Sequence, residues 1–409
     1  MAKKTTTKSA GGSIFDIVKS FDESAEILGK SKTAVISDYI DTGSYILNAC
    51  ISGSLLKGVP AGRCTVLAGD PGTGKTFLAI SVCRNAQKKG YTPIYLDSES
   101  AIDLDQVSKL GADPNNFIIK QVTTVSEVST FIARTCKSIL DMPEEERPKV
   151  IFVLDSLGNL TSDKELNDTI DGNDKRDMTR AQAVKALFRT NATALGKIQA
   201  PFIVNAHIYR TQDLFAKTVV SGGSGINFNA SVTLLLSTAK LEDKQSDKIA
   251  ENKVGDFVKT GVVVTAKPEK SRFTIPQKVR FQIPFFKAPN PYVGLESYIT
   301  WDNSGIMRGK LITEKEYNKL SDLEKNLCCE MKDSEGKLCY AYPKETSKNI
   351  VVKHLGCELP AVELFSSKVL TEEVLKNLDE TIIRPSFELP SNTGNDDIEE
   401  LLDLTDDGE

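Results

Sequence analysis

A glycine-rich segment of eight residues constrains this chain more than any other feature. It reads GDPGTGKT and follows the apolar, β-branched run Cys64–Ala68, and its last two residues open the helix-like segment Lys75–Lys89. The spacing fits G-x-x-x-x-G-K-[ST], and a strand before it with a helix after it is the context that motif needs. The sequence therefore predicts a phosphate-binding loop between a strand and a helix.

The residue types of this loop predict its chemistry. Glycines let backbone N–H groups turn towards phosphate oxygens, and the N-terminus of a helix adds partial positive charge. Lys75 is expected to reach the β- and γ-phosphates of ATP, and Thr76 to bind a Mg²⁺ ion. The predicted nucleotide-binding residues of the loop are Gly69, Asp70, Pro71, Gly72, Thr73, Gly74, Lys75 and Thr76.

Two later apolar runs end in acidic residues. The run Lys149–Asp155 ends in Asp155, which we expect to bind the nucleotide's Mg²⁺ together with Thr76. The run that begins at Ile94 ends with Asp97 and Glu99, and Glu99 could orient and deprotonate an attacking water. An exposed loop carboxylate is the plain alternative for Glu99.

Strand-like runs alternate with helix-length segments between residues 36 and 290. The apolar runs are Cys64–Ala68, Pro93–Leu96, Lys149–Asp155, Pro201–Asn205, Ser231–Leu236 and Gly261–Thr265. The intervening segments are Lys75–Lys89, Val125–Leu140 and Met178–Ile198. This rhythm predicts an α/β fold with a doubly wound, mostly parallel sheet. Shorter turns after Lys259 favour an antiparallel extension.

The remaining sequence predicts three further parts. Residues 1–35 form an N-terminal segment with an amphipathic pattern from Ile14 to Phe21, which favours a docking helix after a disordered first dozen residues. Residues 291–385 form a smaller C-terminal α/β region, with helix-like segments around Thr313–Leu327 and Thr371–Leu378. Residues 386–409 are expected to be a disordered tail.

The charge distribution bears on the partners of the chain, and its cysteines and apolar runs bear on its compartment. The tail has nine acidic residues and neither Lys nor Arg, so the rest of a chain with net charge −5 is mildly basic. This asymmetry suggests a polyanion partner, although a tail that only aids solubility fits equally well. Eight cysteines without an export signal predict reduced thiols in a cytoplasm, and no apolar run approaches the ~20 residues of a membrane helix.

A cluster of potential zinc ligands lies in the C-terminal region. Its members are Cys328, Cys329, Cys339, His354 and Cys357. Thiolates and imidazole suit tetrahedral zinc, but the cluster lacks a C-x₂₋₄-C knuckle. Scattered small apolar residues are the favoured interpretation.

Three further segments resemble the RecA family of recombinases, and more closely the UvsX-type recombinases of tailed phages. They are SLGNL (156–160), DMTRAQAVKALFR (177–189) and TVVSGGSGINFNASV (218–232), within a resemblance covering roughly residues 40–290. The resemblance implies a RecA-like core and a filament-forming, DNA-dependent ATPase that exchanges DNA strands. The implied partners are single- and double-stranded DNA, further copies of the chain in a helical homo-oligomer, a single-strand-binding protein and a loading mediator.

The resemblance also implies roles for individual residues. Glu99 stands at the position of the catalytic glutamate, and His207 at that of a polar residue that senses the γ-phosphate. Lys270 and Arg272 resemble a cationic pair that reaches the ATP site of the neighbouring subunit, and Phe228 an aromatic at that interface. Such cations could stabilise charge in the transition state and make hydrolysis depend on assembly.

Two segments correspond to the family's DNA-binding loops, at about residues 158–179 and 209–229. The candidate DNA contacts are Lys175, Arg176, Arg180, Arg210, Lys217, Gly222 and Gly223. Two departures leave details open: Gln106 stands where many relatives have a tyrosine that stacks on adenine, and Ala206 where they have asparagine.

Three other functions remain compatible with the sequence. A ring-forming helicase or DNA motor could use the same core, although the Ser-Leu-Gly-Asn segment disfavours it. A nucleotide-gated structural filament would need little turnover, and Glu99 argues against that. A small-molecule P-loop kinase would need no water-activating glutamate.

Overall fold

The computed structural model describes residues 14–22, 25–28, 31, 34–172, 179–210, 218–222, 224–241, 261–285 and 288–389. Several predicted features lie outside these residues: the first dozen residues, most of the acidic tail, and the candidate DNA contacts Lys175, Arg176, Lys217 and Gly223.

An eight-stranded sheet forms the centre of the molecule. A short antiparallel pair, β1 (Tyr39–Ile40) with β2 (Val59–Pro60), precedes it along the chain. The strands of the large sheet are β3 (Cys64–Gly69), β4 (Tyr91–Asp97), β5 (Ile118–Gln121), β6 (Lys149–Asp155), β7 (Phe202–Ala206), β10 (Val232–Leu241), β11 (Gly261–Ser271) and β12 (Val279–Pro284). A two-stranded hairpin of β8 (Ile208–Arg210) and β9 (Thr218–Val220) stands apart from it.

The order of strands in the large sheet is β12-β11-β10-β3-β7-β6-β4-β5. The strands from β10 to β5 pair in parallel, whereas β11 and β12 add an antiparallel extension beside β10. The predicted doubly wound, mostly parallel fold is confirmed. Because the parallel strands point the same way, the residues that follow β3, β4, β6 and β7 meet at one edge of the sheet.

Helices cover both faces of this sheet. The helices up to β10 are α1 (Ile14–Phe21), α2 (Tyr45–Ser52), α3 (Lys75–Lys88), α4 (Leu104–Lys109), α5 (Val125–Leu140), α6 (Asp163–Ile170), α7 (Thr179–Lys197) and α8 (Ser224–Asn229). Residues of α2 and α3 belong to the apolar core on one face, and those of α5 and α7 to the core on the other.

The sequence of α5 shows why these helices form where they do. The Thr124 side chain accepts a hydrogen bond from the Glu127 N–H, which satisfies one of the free donors at the helix start. Apolar residues recur every three or four positions, so one stripe faces the sheet. The buried members of that stripe are Val125, Val128, Ile132, Cys136 and Ile139.

A second, five-stranded antiparallel sheet lies in the C-terminal region, for which the sequence predicts an α/β structure without individual strands. Its strands are β13 (Ile306–Thr313), β14 (Cys329–Lys332), β15 (Leu338–Pro343), β16 (Asn349–Val352) and β17 (Cys357–Pro360), in the order β14-β15-β13-β16-β17. Helices α9 (Trp301–Ser304) and α12 (Glu372–Leu378) flank it in the chain, and α12 agrees with the predicted Thr371–Leu378.

The helix predicted around Thr313–Leu327 is wrong in its continuity. Two separate four-residue helices occupy this segment, α10 (Glu314–Tyr317) and α11 (Asp322–Lys325). Each begins with a capping box, formed by Thr313 with Glu316 and by Ser321 with Glu324. A Ser cap inside the segment starts a new helix rather than continuing the first.

The predicted start of the disordered tail at residue 386 is also wrong. A π-helical turn, Asp379–Ile383, leads into α13 (Arg384–Phe387), and Phe387 is fully buried. Glu388 forms a β-bridge with Thr274 of the core. Apolar burial and backbone pairing therefore hold the chain in place at least as far as Glu388.

Two structural findings concern membrane and metal sites. No helix in the described parts of the chain has both the length and the apolar composition to span a bilayer. Cys328, Cys329, Cys339 and Cys357 are free thiols, and the described residues contain no group of three or more potential ligands placed to hold a metal ion.

Candidate nucleotide-binding and hydrolysis site

The glycine-rich loop connects β3 to α3, as its sequence context predicts. Gly72 and Gly74 have φ angles of 78° and 86°, a region that favours glycine. A Cβ atom on Gly74 would lie 2.4 Å from Ile283 Cδ1, so packing against β12 also excludes a side chain there.

Lys75 lies within the loop at the start of α3. Its Nζ donates hydrogen bonds to the carbonyl oxygens of Gly69 at 2.8 Å and Asp70 at 3.0 Å. Burial lowers the pKa of Lys75, against the opposing influence of Asp155, Glu99 and Asp70. The two carbonyl oxygens thus hold the ammonium group at the loop. A bound phosphate would accept its hydrogen bonds in their place.

Thr76 and Asp155, the two predicted Mg²⁺ ligands, are in direct contact. The Thr76 hydroxyl donates a 2.7 Å hydrogen bond to Asp155 Oδ2 at the end of β6. Tyr95, on the neighbouring strand β4, donates a 2.5 Å hydrogen bond to the same oxygen. A hydroxyl and a carboxylate in contact are the hard oxygen donors that Mg²⁺ prefers, so the pair fits this ion.

Glu99 follows β4 at the same edge of the sheet. Its Oε1 accepts a 2.5 Å hydrogen bond from the Ser156 hydroxyl and lies 3.0 Å from His207 Nε2. Burial raises the pKa of Glu99, but the hydrogen bonds from Ser156 and His207 outweigh it and bring the pKa below its ordinary value. Glu99 is therefore a positioned, ionised carboxylate close to the phosphate loop.

Asp97 builds the turn that places Glu99. Its Oδ1 accepts hydrogen bonds from the backbone N–H groups of Glu99 at 2.9 Å and Ser100 at 2.8 Å. Ser100 has a φ angle of 53°, an uncommon conformation for a residue with a side chain. Gln121 donates to the other oxygen of Asp97 at 3.1 Å, which fixes the carboxylate from β5.

His207 lies between Glu99 and the two loop segments. Its carbonyl oxygen accepts a 2.7 Å hydrogen bond from the Ser221 N–H, at the base of the β8–β9 hairpin from which the second loop extends. A Cβ atom on Gly158, in the first loop segment, would lie 2.7 Å from His207 Cδ2. His207 thus contacts the first loop segment through its ring and the second through its backbone carbonyl.

The structure describes only some of the candidate DNA contacts. Arg180 donates from its guanidinium to the carbonyl oxygens of Leu157, Gly158 and Leu160, and so braces the start of the first loop. Gly222 has a φ angle of 103°. The backbone of Arg210 ends β8, and Phe228 lies in α8, but neither side chain is among those described. The DNA contacts of Arg180, Arg210 and Gly222, and the interface role of Phe228, stay predictions.

Lys270 and Arg272 do not lie at the loop of their own chain. Lys270 pairs with Thr233, and Thr233 with Val66, three residues before Gly69 on β3. At the usual strand rise this separation is roughly 10 Å along the sheet. The pair lies towards the edge opposite the phosphate loop, with Arg272 beyond the end of β11.

The two departures from the resemblance also have a place in the fold. Gln106 is half-buried on the short helix α4, where the Asp103 side chain caps its N–H. Ala206 is fully buried at the end of β7, beside Ala68 of β3. The side-chain hydrogen bonds of Glu99 run to Ser156 and His207, and to neither of these two positions.

Sequence reasoning missed two hydroxyl groups of this site, Tyr95 and Ser156. Tyr95 precedes Asp97 by two residues, and side chains two apart on a strand share a face. That alternation could have placed Tyr95 beside the acids. Ser156 directly follows Asp155, but nothing in its sequence context indicates that the hydroxyl turns towards Glu99.

Comparison with known proteins identifies the family. Residues 9–276 match a family model described as the RecA N-terminal domain. The chain belongs to the RecA family. The matched residues include the phosphate loop, Glu99, Asp155, His207, Lys270 and Arg272, whereas the five-stranded C-terminal sheet lies outside the RecA match.

Two relatives illustrate the distance from characterised sequences. The chain is 27% identical over 262 residues to the "Recombination and repair protein" of Enterobacteria phage T4. This alignment covers 63% of this chain and 62% of the phage protein. It is 28% identical over 251 residues to "Protein RecA" of Wolbachia sp. subsp. Brugia malayi, covering 60% of this chain and 67% of that protein. The predicted resemblance to RecA and phage recombinases is confirmed.

Proposed function

We propose that this chain is an ATP-dependent DNA recombinase. It forms filaments on single-stranded DNA and catalyses homologous pairing and strand exchange in recombination, repair and recombination-dependent replication. The observation that carries the proposal is the contact between Glu99 and His207. It joins a carboxylate suited to activating water to the base of the segment that would bind DNA.

ATP hydrolysis is the proposed reaction of the site. Lys75 and the loop N–H groups bind the phosphates, and Thr76 with Asp155 holds Mg²⁺, which neutralises phosphate charge when it is bound. Glu99 accepts the proton of the attacking water. Its lowered pKa keeps it ionised at neutral pH.

Coupling to DNA follows from the same contacts. A γ-phosphate that draws His207 away from Glu99 would shift the hairpin bonded to the His207 carbonyl, and with it the second loop. By linkage, DNA that favours the same position of the loop favours nucleotide binding. The Arg, Lys and Gly residues predicted in both loops suit sequence-independent contacts with the DNA backbone.

Assembly supplies the remaining charges. Lys270 and Arg272, at the edge opposite the phosphate loop, would act on the ATP of a neighbouring copy in a helical homo-oligomer. Helix α1 presents Ile14, Ile17 and Phe21 to solvent, which suits its proposed role in docking to another copy. A single-strand-binding protein, a loading mediator and double-stranded DNA complete the proposed partners, in a cytoplasm.

ATP turnover with and without single-stranded DNA, alongside electron microscopy of the same mixtures, tests the proposal. We expect DNA to stimulate turnover, and filaments to form with DNA, ATP and Mg²⁺. Turnover that ignores DNA in a preparation without filaments would contradict it. Unwinding of a forked substrate without pairing activity would favour the helicase instead.

A further inference from the structure

Tyr95 is a buried tyrosine whose only polar side-chain atom is directed at the metal-binding carboxylate. It is 1% exposed, and its ring packs against Phe117 at 5.8 Å between ring centroids. Its hydroxyl donates a 2.5 Å hydrogen bond to Asp155 Oδ2. A tyrosine hydroxyl carries its proton at neutral pH, so it is the donor in this bond and the carboxylate is the acceptor.

Both hydroxyl donors to Asp155 end on the same oxygen. Thr76 donates to Oδ2 at 2.7 Å from the start of α3, and Tyr95 at 2.5 Å from β4. Neither bond uses Oδ1. Two donors from two elements fix the rotation of the carboxylate about its Cβ–Cγ bond more narrowly than the threonine hydroxyl alone would.

We propose that Tyr95 is a positioning residue for the Mg²⁺ site, acting through Asp155. Its hydroxyl holds Oδ2 so that the carboxylate meets the cation in a single orientation. This inference rests on the proposed ATP–Mg²⁺ site and assigns one of its determinants. Groups that orient a metal-binding residue in this way commonly change metal affinity by 10- to 100-fold when removed.

The chain contains a matched control, Tyr91, four residues earlier on the same strand. Tyr91 is also buried, at 3% exposed, and also donates to an aspartate, Asp38 Oδ2, at 3.2 Å. Tyr91 pairs with Lys149 at the start of β6, whereas Asp155 ends that strand. The two tyrosines thus differ mainly in which aspartate they contact.

The test compares the full-length wild type with Tyr95→Phe and Tyr91→Phe. Mn²⁺ replaces Mg²⁺ as an electron paramagnetic resonance probe, and its affinity is measured with a non-hydrolysable ATP analogue present. We expect Tyr95→Phe to weaken Mn²⁺ binding by about tenfold and Tyr91→Phe to leave it unchanged. Affinity for the analogue in EDTA should stay within about twofold of wild type in both variants, because no metal is involved.

Each alternative result has a distinct meaning. If the wild type binds Mn²⁺ with the analogue and Tyr95→Phe binds it equally well, this inference fails and the proposed function stands. An equal loss in both variants, or an equal loss of analogue affinity in EDTA, would show a structural effect and also overturn it. A wild type that binds no Mn²⁺–nucleotide overturns the proposed function and this inference together.

Discussion

At the scale of single residues, Glu99 is the group on which the proposed hydrolysis depends. Its Oε1 is shared by the Ser156 hydroxyl and the His207 ring, which come from the segments after β6 and β7. The carboxylate is therefore placed by two neighbours rather than left to rotate freely. A hydrolytic role and a merely structural role make different predictions for its amide analogue.

We expect Glu99→Gln to lower DNA-stimulated ATP turnover by at least about 100-fold, because an amide cannot accept the proton of water. Nucleotide binding should change little, since the phosphate-loop contacts remain. Glu127→Gln is the control, because Glu127 pairs with Lys120 and with the Thr123 N–H, whereas Glu99 bonds Ser156 and His207. Steady-state hydrolysis with a fluorescent phosphate sensor gives the measurement, and unaltered turnover in Glu99→Gln would reject the assignment.

Stability should depend on pH through the Ser156–Glu99 bond. The pKa of Glu99 lies below its ordinary 4.5, so its stabilising contribution is complete above about pH 5 and is lost as pH falls through the lowered pKa. We expect Ser156→Ala to lower the free energy of unfolding by about 1 kcal/mol at pH 7, and by less below pH 4.5.

Urea denaturation across this pH range measures the difference. In a Glu99→Gln background the effect of Ser156→Ala should not vary with pH, because the titrating group is gone. A pH-dependent difference that persists in that background would assign it to another carboxylate.

Sequence reasoning found the residues whose chemistry is tied to a motif. Lys75 and Thr76 follow from a loop whose geometry dictates residue type at each position, and Asp155 from the apolar run that it ends. Ser156 and Tyr95 could not be found in this way, because a hydroxyl is compatible with many environments. The folded structure shows which carboxylate each one reaches: Tyr95 bonds Asp155, and Ser156 bonds Glu99.

At the scale of elements, predictability followed length and periodicity. Helix α5 matched its predicted bounds because its apolar residues recur every three or four positions, and α3 and α7 differed from prediction by one residue at their ends. The individual strands of the C-terminal sheet were not predicted because β14, β16 and β17 have four residues each, too few for alternation to show. Edge strand β5 was missed because most of its residues are exposed.

The join between the C-terminal turn and the core depends on one buried carboxylate. Asp379 is fully buried and accepts hydrogen bonds from the Ser54 hydroxyl, the Leu55 N–H and Arg384 Nε, at 2.8, 2.6 and 2.9 Å. These bonds tie the π-helical turn to the segment after α2. No feature of the sequence around Asp379 distinguishes it from an exposed acid.

Asp379→Ala is expected to lower the free energy of unfolding by about 3 kcal/mol, because it leaves Leu55 N–H and Arg384 without their acceptor. Urea denaturation monitored by circular dichroism measures this loss. Asp105→Ala, which breaks the exposed ion pair with Lys109, should leave the midpoint nearly unchanged. Equal midpoints for both variants would show that the buried contact contributes little.

At the scale of the whole molecule, the opposite placement of Lys75 and the Lys270–Arg272 pair makes a prediction about mixtures. A variant lacking Lys75 keeps its cations, and a variant lacking the cations keeps its phosphate loop. We expect Lys75→Ala and the double variant Lys270→Ala/Arg272→Ala each to lose about 1,000-fold in turnover alone.

Mixing the two variants should restore part of the turnover. Some sites then combine the phosphate loop of the double variant with the Lys270 and Arg272 side chains of a neighbouring Lys75→Ala subunit. Titrating one variant into a fixed amount of the other, with hydrolysis followed on single-stranded DNA, measures the recovery. Mixtures as inactive as their components would show that the cations serve their own chain or only its fold.

The acidic tail should compete with DNA. Residues 390–409 contain eight of the nine acids after Ser386, and Phe387 must be kept because it is buried in the core. Deleting residues 390–409 is expected to strengthen binding to duplex DNA several-fold at low salt and less at high salt. A full-length variant with those acids changed to amides should match the deletion, and equal affinities across the salt titration would refute the idea.

The far-edge position of Lys270 and Arg272 has a further consequence for a growing polymer. If those cations act on the ATP of the next subunit, an open filament contains one complete ATP site fewer than it has subunits. The terminal subunit that lacks a neighbour's cations then keeps its ATP unhydrolysed. Short filaments would then hydrolyse less ATP per subunit than long ones, and the nucleotides bound at the two ends would differ.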